Sequence, residues 1–273
     1  MDFKSLLGTD LKESLKKIKY KFQNRNFKPY TADKTLFGTD FKFYVANLDA
    51  EHWYMNPEGY SKETGEWVWP EMEFVKNNII DEGGVVLECG GHHGLTAVVI
   101  AKWVGDKGHV YTFEPNPENL DIIKKNLAIN GIKNITVIPN AVGAEPGEIL
   151  ISNSSSNSYI LKGAESNGIK VPVVRADNYA DKKPTVLKID VEGFELEVLR
   201  GATEILKTLP SLHIELHPDL MSRYGYKVED LLDLISTDYN LWLQTDPFTV
   251  PAPYNRELPI TGRSHLYAVA KAK

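Results

Sequence analysis

The segment VVLECGGHHG, residues 85–94, indicates how this chain folds. Apolar residues run up to Leu87, an acid follows at Glu88, and the segment then becomes rich in glycine and histidine. A short, continuously apolar run is typical of a strand covered on both faces in a parallel sheet. Ligands of such sheets bind beyond the carboxyl ends of the strands. The residues after Leu87 therefore form either a ligand-binding turn or a loop that carries a histidine pair for a metal ion.

The spacing of the glycines narrows the choice of ligand. A dinucleotide fingerprint needs Gly-x-Gly-x-x-Gly, and from Gly90 that pattern fails because His92 and Leu95 occupy the other two positions. An acid at the strand end followed by Gly90 and Gly94 is instead the form found in proteins that bind S-adenosylmethionine. Neighbouring residues such as His92 and His93 seldom point at one ion, so the sequence favours the cofactor turn over the metal pair.

Downstream of this turn, predicted strands alternate with predicted helices, which is typical of a doubly wound α/β sheet. The predicted strands are Val85–Leu87, His109–Phe113, Ile135–Ile138, Val186–Asp190 and Leu212–Leu216, with an extra strand at Glu148–Ile151. The predicted helices are Leu95–Val104, one that begins after Asn116 and buries Leu120, Ile123 and Leu127, Glu195–Leu206 and Val228–Ile235. Asn240–Leu243 and His265–Val269 have no helix between them and are expected to pair antiparallel. Their proline-rich connection is long enough to act as a lid.

The N-terminal part differs in character from the rest of the chain. Leu7, Leu11, Leu15, Ile18 and Phe22 follow helical spacing, which predicts an amphipathic helix that packs on its own domain, on a second subunit or on a membrane. Residues 27–70 are rich in aromatic side chains and show little regular periodicity. We therefore divide the chain into an arm, residues 1–65, and a domain, residues 66–273. The aromatic side chains can hold the arm to the domain or stack on sugars: Trp53, Tyr54, Tyr60, Trp67 and Trp69.

Composition limits the partners that this chain can have. The net charge is −6 and no dense run of Lys and Arg is present, which disfavours long nucleic acid as a partner. A single cysteine, Cys89, excludes an internal disulfide and a metal site built from cysteines. We see neither a transmembrane segment nor the core of a signal peptide, so we expect a cytoplasmic protein. A homo-oligomer remains open.

Polar residues follow several of the predicted strands, where the ligand is expected. Glu114 ends the second strand about 20 residues beyond the turn, where an acid can accept hydrogen bonds from ribose hydroxyls or begin the next helix. Asn140 and Ala141 follow the third strand and either frame an adenine ring or form an ordinary turn. The predicted cofactor contacts are Glu88, Gly90, Gly91, His92, Gly94, Thr96, Glu114, Pro115, Asn116, Asn140, Ala141 and Asp190.

A second polar cluster follows the next two strands along the chain. Asp190 closes one strand and is followed at once by Glu192 and Glu195, and Glu215 and His217 end the strand after it. Acids gathered at the mouth of a sheet repel each other, so their presence there needs a reason. Binding of the cofactor's amino group, general-base chemistry and a divalent metal are three such reasons, and scattered surface charge is the alternative.

Four stretches of the sequence resemble the FkbM-type methyltransferases. They are EPNPENLDIIKKNLAIN at 114–130, NAVG at 140–143, and LKIDVEGFELEVLRGA at 187–202 with IELHP at 214–218. The resemblance covers roughly residues 66–270. It implies the Rossmann-like class I fold, a seven-stranded mixed sheet with one antiparallel strand and helices on both faces. It also implies S-adenosylmethionine as cofactor. His92 departs from the family's first turn, which usually reads Asp-x-Gly-Ala-Asn-x-Gly.

The same resemblance implies transfer of a methyl group to a hydroxyl of a sugar, a glycan or a natural product. Asp190, Glu192, Glu215 and His217 are the predicted catalytic residues, with His217 or Glu192 as the base that removes the hydroxyl proton. Alternatively, Asp190, Glu215 and His217 hold a divalent ion that lowers the pKa of that hydroxyl.

Three rival functions remain. A nucleic-acid N-methyltransferase would usually carry Asn/Asp-Pro-Pro-Tyr/Phe where this chain has Asp190-Val191-Glu192-Gly193. The second rival is a catalytically silent cofactor-binding or scaffolding protein. The third is a dehydrogenase, which the glycine spacing disfavours.

Overall fold

The computed structural model describes residues 20, 22–55, 70–152, 158–161 and 168–271, with the backbone alone for 52–54. Most of the predicted N-terminal helix lies outside the described residues, as do Tyr60, Trp67, Trp69 and the predicted boundary near residue 65. The described residues resume at Pro70, which is the first residue of a helix. The division of the chain into arm and domain therefore stays a prediction.

The strands and helices of the described residues alternate along most of the chain. The strands are β1 (Tyr30–Leu36), β2 (Thr39–Val45), β3 (Val85–Cys89), β4 (His109–Phe113), β5 (Ile135–Ile138), β6 (Ala141–Val142), β7 (Gly147–Ser152), β8 (Gly168–Val174), β9 (Val186–Ile189), β10 (Ser211–Leu216), β11 (Tyr239–Gln244), β12 (Ala252–Tyr254) and β13 (Ser264–Ala270). The helices are Leu48–Met55, Pro70–Asn78, Leu95–Val104, Pro117–Ile129, Glu195–Arg200, Thr203–Leu206, Pro218–Arg223 and Val228–Leu232, with a 3₁₀ helix at Ala176–Lys182.

The central sheet is mixed and has the strand order β12-β11-β13-β10-β9-β3-β4-β5. Five strands, β5, β4, β3, β9 and β10, run parallel, and β13 is antiparallel to both β10 and β11. Successive residues of a strand point to opposite faces. Val86 accordingly packs into a core with Met72 and Val98, whereas Leu87 packs into a second core with Leu196. The predicted α/β class, with helices on both faces and an antiparallel pair, is confirmed.

The predicted number of strands is corrected from seven to eight. The additional strand, β12, comes from the proline-rich connection and pairs with β11, Leu241 opposite Tyr254. Its central residue is Pro253, which has no backbone N–H to donate to a ladder. Proline is tolerated at this position because β12 is an edge strand with a single neighbour. A strand whose middle residue is proline carries little sequence signal, which explains why the pattern indicated a loop.

The aromatic segment after residue 27 contains a β-hairpin where the sequence indicated no regular periodicity. Strands β1 and β2 pair antiparallel, and Phe41 and Phe43 of β2 are buried. The hairpin is fastened to the Pro117–Ile129 helix. The Tyr44 N–H donates to Asn126 Oδ1 at 2.7 Å, and Asn126 Nδ2 donates to the carbonyl of His93 at 2.8 Å.

Other predicted boundaries also change. Leu120 and Leu127, predicted to be buried, are only half-buried. Two asparagines take buried positions instead, because their side chains bind polar groups of the site. The buried residues of the Pro117–Ile129 helix are Asn119, Ile122, Ile123 and Asn126. The predicted helix 195–206 is interrupted at Gly201, where a Cβ would lie 2.1 Å from the Gly143 carbonyl oxygen.

A small second sheet lies beside the main one. The extra strand predicted at 148–151 is β7, which joins β6 and β8 in a three-stranded sheet of order β6-β8-β7. Within the part of the chain that the structure describes, no helix has both the length and the apolar character needed to cross a bilayer.

Replacing Asn126 tests how the hairpin is held. Asn126→Ala removes one partner from the Tyr44 N–H, in partly buried surroundings, and one from the His93 carbonyl, in buried surroundings. We expect the free energy of unfolding to fall by about 2 kcal/mol, since each unsatisfied buried group is costly. Urea denaturation measures the change. The exposed neighbour Lys124→Ala is the control, expected within about 0.5 kcal/mol of the wild type. Equal stability of the two variants would contradict this account of the hairpin.

Candidate active site

One cavity of about 610 Å³ opens at the carboxyl ends of β3, β4, β9 and β10, beneath the hairpin. It is bordered by most of the residues that the sequence singled out: Gly90, Gly91, His92, Thr96, Glu114, Pro115, Asn140, Ala141, Asp190, Glu192 and Glu215. Four of the predicted residues lie behind its wall: Glu88, Gly94, Asn116 and His217. The structure thus brings the glycine turn and the second polar cluster to one space.

The turn after β3 is held close to the end of β9. A Cβ at Gly90 would lie 1.8 Å from the carbonyl oxygen of Asp190, so only glycine fits at that position. The N–H groups of Gly90 and Gly91 donate to the Phe113 carbonyl at 3.0 and 2.9 Å, and the Asp190 N–H donates to the Cys89 carbonyl at 2.9 Å. These contacts place the turn directly against the residues that follow β9.

Glu88 supports the turn from below. Its carboxylate accepts hydrogen bonds from the hydroxyls of Thr112, at 2.7 Å, and Thr96, and it lies 3.7 Å from Nζ of Lys188. Glu88 is fully buried and the Lys188 side chain is 6 % exposed. Burial lowers the pKa of Lys188, but the surrounding carboxylates outweigh it and hold that pKa above its usual value. Lys188 therefore keeps its positive charge in a buried position beside Glu88.

Glu114 lies on the cavity wall with most of its hydrogen-bonding capacity used. One carboxylate oxygen accepts from the His92 N–H at 2.7 Å, and the other accepts from the Asn116 N–H at 2.8 Å and from Asn119 Nδ2 at 3.2 Å. Burial raises the pKa of Glu114 to about 7, because its effect outweighs that of these three hydrogen bonds, which favour a lower pKa. A carboxylate oxygen has two lone pairs. The oxygen facing His92 thus keeps one acceptor position for a ligand.

The histidine pair does not form a shared ligand set. The rings of His92 and His93 stack with their centres 3.9 Å apart and their planes at 17°. The lone pairs of an imidazole lie in its ring plane, so two nearly parallel rings do not direct them at a common ion. His92 adopts a positive φ of 46°, and His93 is buried. Their position is consistent with a rigid turn.

The second cluster is organised by Glu195, which the sequence places among its acids but which is not one of the predicted catalytic residues. One oxygen of this buried carboxylate accepts from the Gly193 N–H and from Nδ1 of His217, both at 2.8 Å. Nε2 of His217 lies 3.6 Å from a carboxylate oxygen of Glu192 and 3.6 Å from one of Glu215. Burial lowers the pKa of His217, but Glu195, Glu192 and Asp190 outweigh it and raise it to about 9. His217 is therefore a cation at neutral pH.

Glu192 is the carboxylate of this cluster best suited to exchange a proton near neutral pH. Burial raises its pKa to about 7, and the positive charges of His217 and Arg263 oppose that rise. It borders the cavity in a strained backbone conformation with φ of 52°. Strain of this kind in a residue other than glycine is concentrated at functional sites.

Glu215 and Asp190 differ from Glu192 in their surroundings. Burial alone would raise the pKa of Glu215, but the effect of His265, Arg263 and His217 is larger and lowers that pKa below its usual value. Arg263 Nε also donates a hydrogen bond to this carboxylate. The pKa of Asp190 is raised, first by burial and then by Glu215. Asp190, Glu192 and His217 each offer a ligand atom within 4.8 Å of the others, whereas the predicted metal set named Glu215 in place of Glu192.

Several residues of the cavity were missed in the sequence. Glu71, Lys188, Arg263 and His265 border it, and His213 lies buried beneath it. The available signal was alternation, since His213 and Glu215 stand two apart in an otherwise apolar strand. Side chains two residues apart share one face of a sheet. Glu71 and Arg263 had no such signal, because they come from a helix and from a loop.

The buried pair of Glu88 and Lys188 can be tested by a cycle of substitutions. Lys188→Met leaves the Glu88 carboxylate without its cation and should lower the free energy of unfolding by about 3 to 5 kcal/mol. The double variant Glu88→Gln, Lys188→Met should recover part of that loss. The control is Lys170→Met, whose pair with Glu148 spans 3.9 Å but is exposed, with an expected change within about 0.5 kcal/mol. A double variant less stable than Lys188→Met alone would contradict the pairing.

Comparison with known proteins identifies the family. The Methyltransferase FkbM domain matches residues 88–241, more than half of the chain. The chain is 29 % identical over 169 residues to the hexuronic acid methyltransferase AglP of Haloferax volcanii, covering 57 % of this chain and 63 % of that protein. It is 44 % identical over 71 residues to a protein-L-isoaspartate O-methyltransferase of Methanosarcina mazei, covering 25 % of this chain and 29 % of that one.

A solved structure of the methyltransferase FkbM of Methylobacillus flagellatus aligns with 70 % of this chain and 44 % of its own, at 20 % identity and a TM-score of 0.46. The chain thus spans less than two thirds of the length of these three relatives. The match to the family domain includes the turn after β3, Glu114, and the cluster at 190–195. The chain belongs to the FkbM methyltransferase family, a family of S-adenosylmethionine-dependent enzymes.

Proposed function

We propose that this protein transfers a methyl group from S-adenosylmethionine to a hydroxyl of a sugar or glycan. The observation that carries the proposal is the shared cavity, in which the glycine turn and Glu114 face the same space as Glu192. Glu114 offers a free acceptor position, and the raised pKa of Glu192 suits proton removal near neutral pH. One space then serves both the cofactor and the acceptor.

The residues present suit the proposed cofactor. Gly90 and Gly91 expose backbone at the turn, where the amino-acid end of the cofactor is proposed to lie, with Asp190 beside it. Glu114 is proposed to accept from the ribose hydroxyls, and the segment at Asn140 and Ala141 to border the adenine. When bound, S-adenosylmethionine supplies an electrophilic methyl group. The protein then has to exclude water, orient the acceptor and take its proton.

Glu192 is the proposed base. A carboxylate whose pKa is about 7 is available as a proton acceptor at neutral pH and still holds the proton well enough to draw it from a hydroxyl. His217, the other candidate from the sequence, is a cation in these surroundings and lies behind the cavity wall. The proposed role of His217 is to limit the rise in the pKa of Glu192. Its hydrogen bond to Glu195 fixes the orientation of the His217 ring.

Charge and one relative support the proposed acceptor class. Glu71, Glu114, Asp190, Glu192 and Glu215 border the cavity, which disfavours a phosphate-rich polymer such as nucleic acid. The same cavity borders on cationic groups of Lys34, Lys188 and Arg263, which can bind hydroxyl or carboxylate oxygens of a sugar. The relative from Haloferax volcanii is named a hexuronic acid methyltransferase, which supports a sugar hydroxyl as the target.

Calorimetric titration with S-adenosylmethionine and S-adenosylhomocysteine tests the cofactor site. We expect micromolar binding by the wild-type chain and a loss of at least tenfold in Glu114→Ala, because the ribose contact is removed. The control is Glu118→Ala, an exposed acid in the first turn of the adjacent helix, which should bind like the wild type.

Labelled-methyl transfer to neutral sugars, hexuronic acids and polyketide hydroxyls then identifies the acceptor. Absence of cofactor binding by the wild-type chain would overturn the proposal. Binding without transfer to any hydroxyl would favour a silent cofactor-binding protein, and transfer to an amine would favour N-methylation.

The pH dependence of methyl transfer distinguishes Glu192 from His217 as base. With Glu192 as base, kcat/KM should rise with pH, following the ionised fraction of a group with a pKa near 7, and level off above it. Glu192→Gln should reduce the rate roughly 100-fold or more and remove that limb. His217→Gln removes a cation that stabilises the Glu192 carboxylate, so it should shift the rising limb to higher pH. A His217→Gln variant that is inactive at every pH would instead favour His217 as the base.

A further inference from the structure

Two histidines and a glutamate converge at a point outside the turn and the 190–195 cluster. Nε2 of His213 lies 3.4 Å from a carboxylate oxygen of Glu71 and 3.4 Å from Nδ1 of His265. Nε2 of His265 lies 3.8 Å from the other oxygen of Glu71. Each of the three residues offers a ligand atom within 4.8 Å of the others. The arrangement is compact enough to surround a single ion.

Three separate elements build this cluster. His213 is on β10 and His265 on β13, and the register places Glu215 opposite His265 and Tyr267 opposite His213, so the two histidines share one face of the sheet. Glu71 comes from the first turn of the Pro70–Asn78 helix, whose Met72 packs in the same core as Tyr267. Each donor is therefore carried by a regular element and fixed by packing.

The cluster places three polar side chains in largely buried surroundings, with exposed side-chain fractions of 3 % for His213, 13 % for His265 and 14 % for Glu71. Nε2 of His213 lies 3.4 Å from a second imidazole as well as 3.4 Å from a carboxylate oxygen. His213 is 2 % exposed, so its placement beside a second imidazole and a carboxylate costs solvation that a bound cation would return.

The donor set and its spacing match a transition-metal site. Two imidazoles and one carboxylate are ligands for Zn²⁺ and Mn²⁺, whereas Mg²⁺ and Ca²⁺ prefer oxygen alone. Ligand atoms about 2.0 to 2.2 Å from a tetrahedral ion are separated from each other by about 3.3 to 3.6 Å. Nε2 of His213 lies 3.4 Å from an oxygen of Glu71 and 3.4 Å from Nδ1 of His265, and both separations fall in that range. One ligand atom from each of the three residues lies within 4.8 Å of the others.

The open side of the cluster faces the cavity. Glu71 and His265 border it and His213 lies behind them, so further coordination positions would point into the space assigned to the acceptor. Glu215 lies between this cluster and His217, and its carboxylate contacts Arg263. An ion here would therefore be close to the acceptor and separate from the set formed by Asp190, Glu192 and His217.

We propose that Glu71, His213 and His265 form a divalent transition-metal site, of the kind occupied by Zn²⁺ or Mn²⁺, whose open positions take two neighbouring oxygens of the acceptor. The binding of the ion depends only on the three side chains. Its role toward the acceptor rests on the proposed function. A chelating pair of oxygens is available in a vicinal diol or in a hydroxy acid, which are common features of sugars.

Zn²⁺ titration of the full chain, stripped with chelator, tests the site. We expect one equivalent bound, and at least a tenfold weaker affinity in His265→Gln and in Glu71→Gln. The matched control is His109→Gln, a partly exposed histidine at the start of β4 that is hydrogen-bonded to Thr136 and should leave affinity unchanged. Glu192→Gln should also leave it within twofold, because the Asp190, Glu192 and His217 set is a different site. A loss of affinity in Glu192→Gln with none in His265→Gln would overturn the assignment.

A variant-free measurement covers the case in which a substitution prevents folding. Co²⁺ added to the wild-type chain should give the intense visible bands of a low-coordinate, imidazole-bound ion, and Zn²⁺ should displace it. Weak bands of an all-oxygen, six-coordinate ion would contradict the site. Cofactor titration on the same samples separates the two proposals. Zn²⁺ binding without cofactor binding would refute the proposed function alone, and cofactor binding without Zn²⁺ binding would refute the metal site alone.

Discussion

The contact between Gly90 and the backbone of Asp190 determines the geometry of the site. Any side chain at position 90 would collide with the Asp190 carbonyl, and the hydrogen bond from Asp190 N–H to the Cys89 carbonyl holds the two strand ends together. Because β3 and β9 are neighbours in a parallel sheet, both end at the same edge. The turn that follows one strand and the acids that follow the other consequently open onto one cavity. A substitution at Gly90 would separate the proposed cofactor and acceptor sites.

Electrostatics then distinguishes carboxylates that lie side by side. Glu215 has Arg263, His217 and His265 around it, so its pKa is held below the usual value, whereas burial outweighs the cations around Glu192 and raises that pKa to about 7. Neighbouring acids whose pKa values are pushed apart can take different roles. Below the turn, Lys188 pairs with the buried carboxylate of Glu88. The cavity thus concentrates acids without leaving all of them equally ionised.

The sequence predicted the parts of the fold whose signal is local. The buried run at 85–87, the glycine turn and the strand-end acids Glu114 and Asp190 all lie where the pattern placed them. Features that join distant parts of the chain could not be predicted from the sequence pattern. Strand β12 has proline at its centre, and the pairing of Glu88 with Lys188 joins residues one hundred positions apart. The set of Glu71, His213 and His265 depends on strand register and on a helix crossing the sheet, and neither can be read from spacing.

A crystal structure with S-adenosylhomocysteine would test the shared cavity most directly, through the distance from the ligand's sulfur to the Glu192 carboxylate. We expect the ribose hydroxyls to contact Glu114 and the sulfur to face Glu192 across a space wide enough for a hydroxyl and a methyl group. A ligand bound outside this cavity would contradict a shared site. So would a sulfur screened from Glu192 by protein, since the turn and the carboxylate cluster would then serve separate purposes.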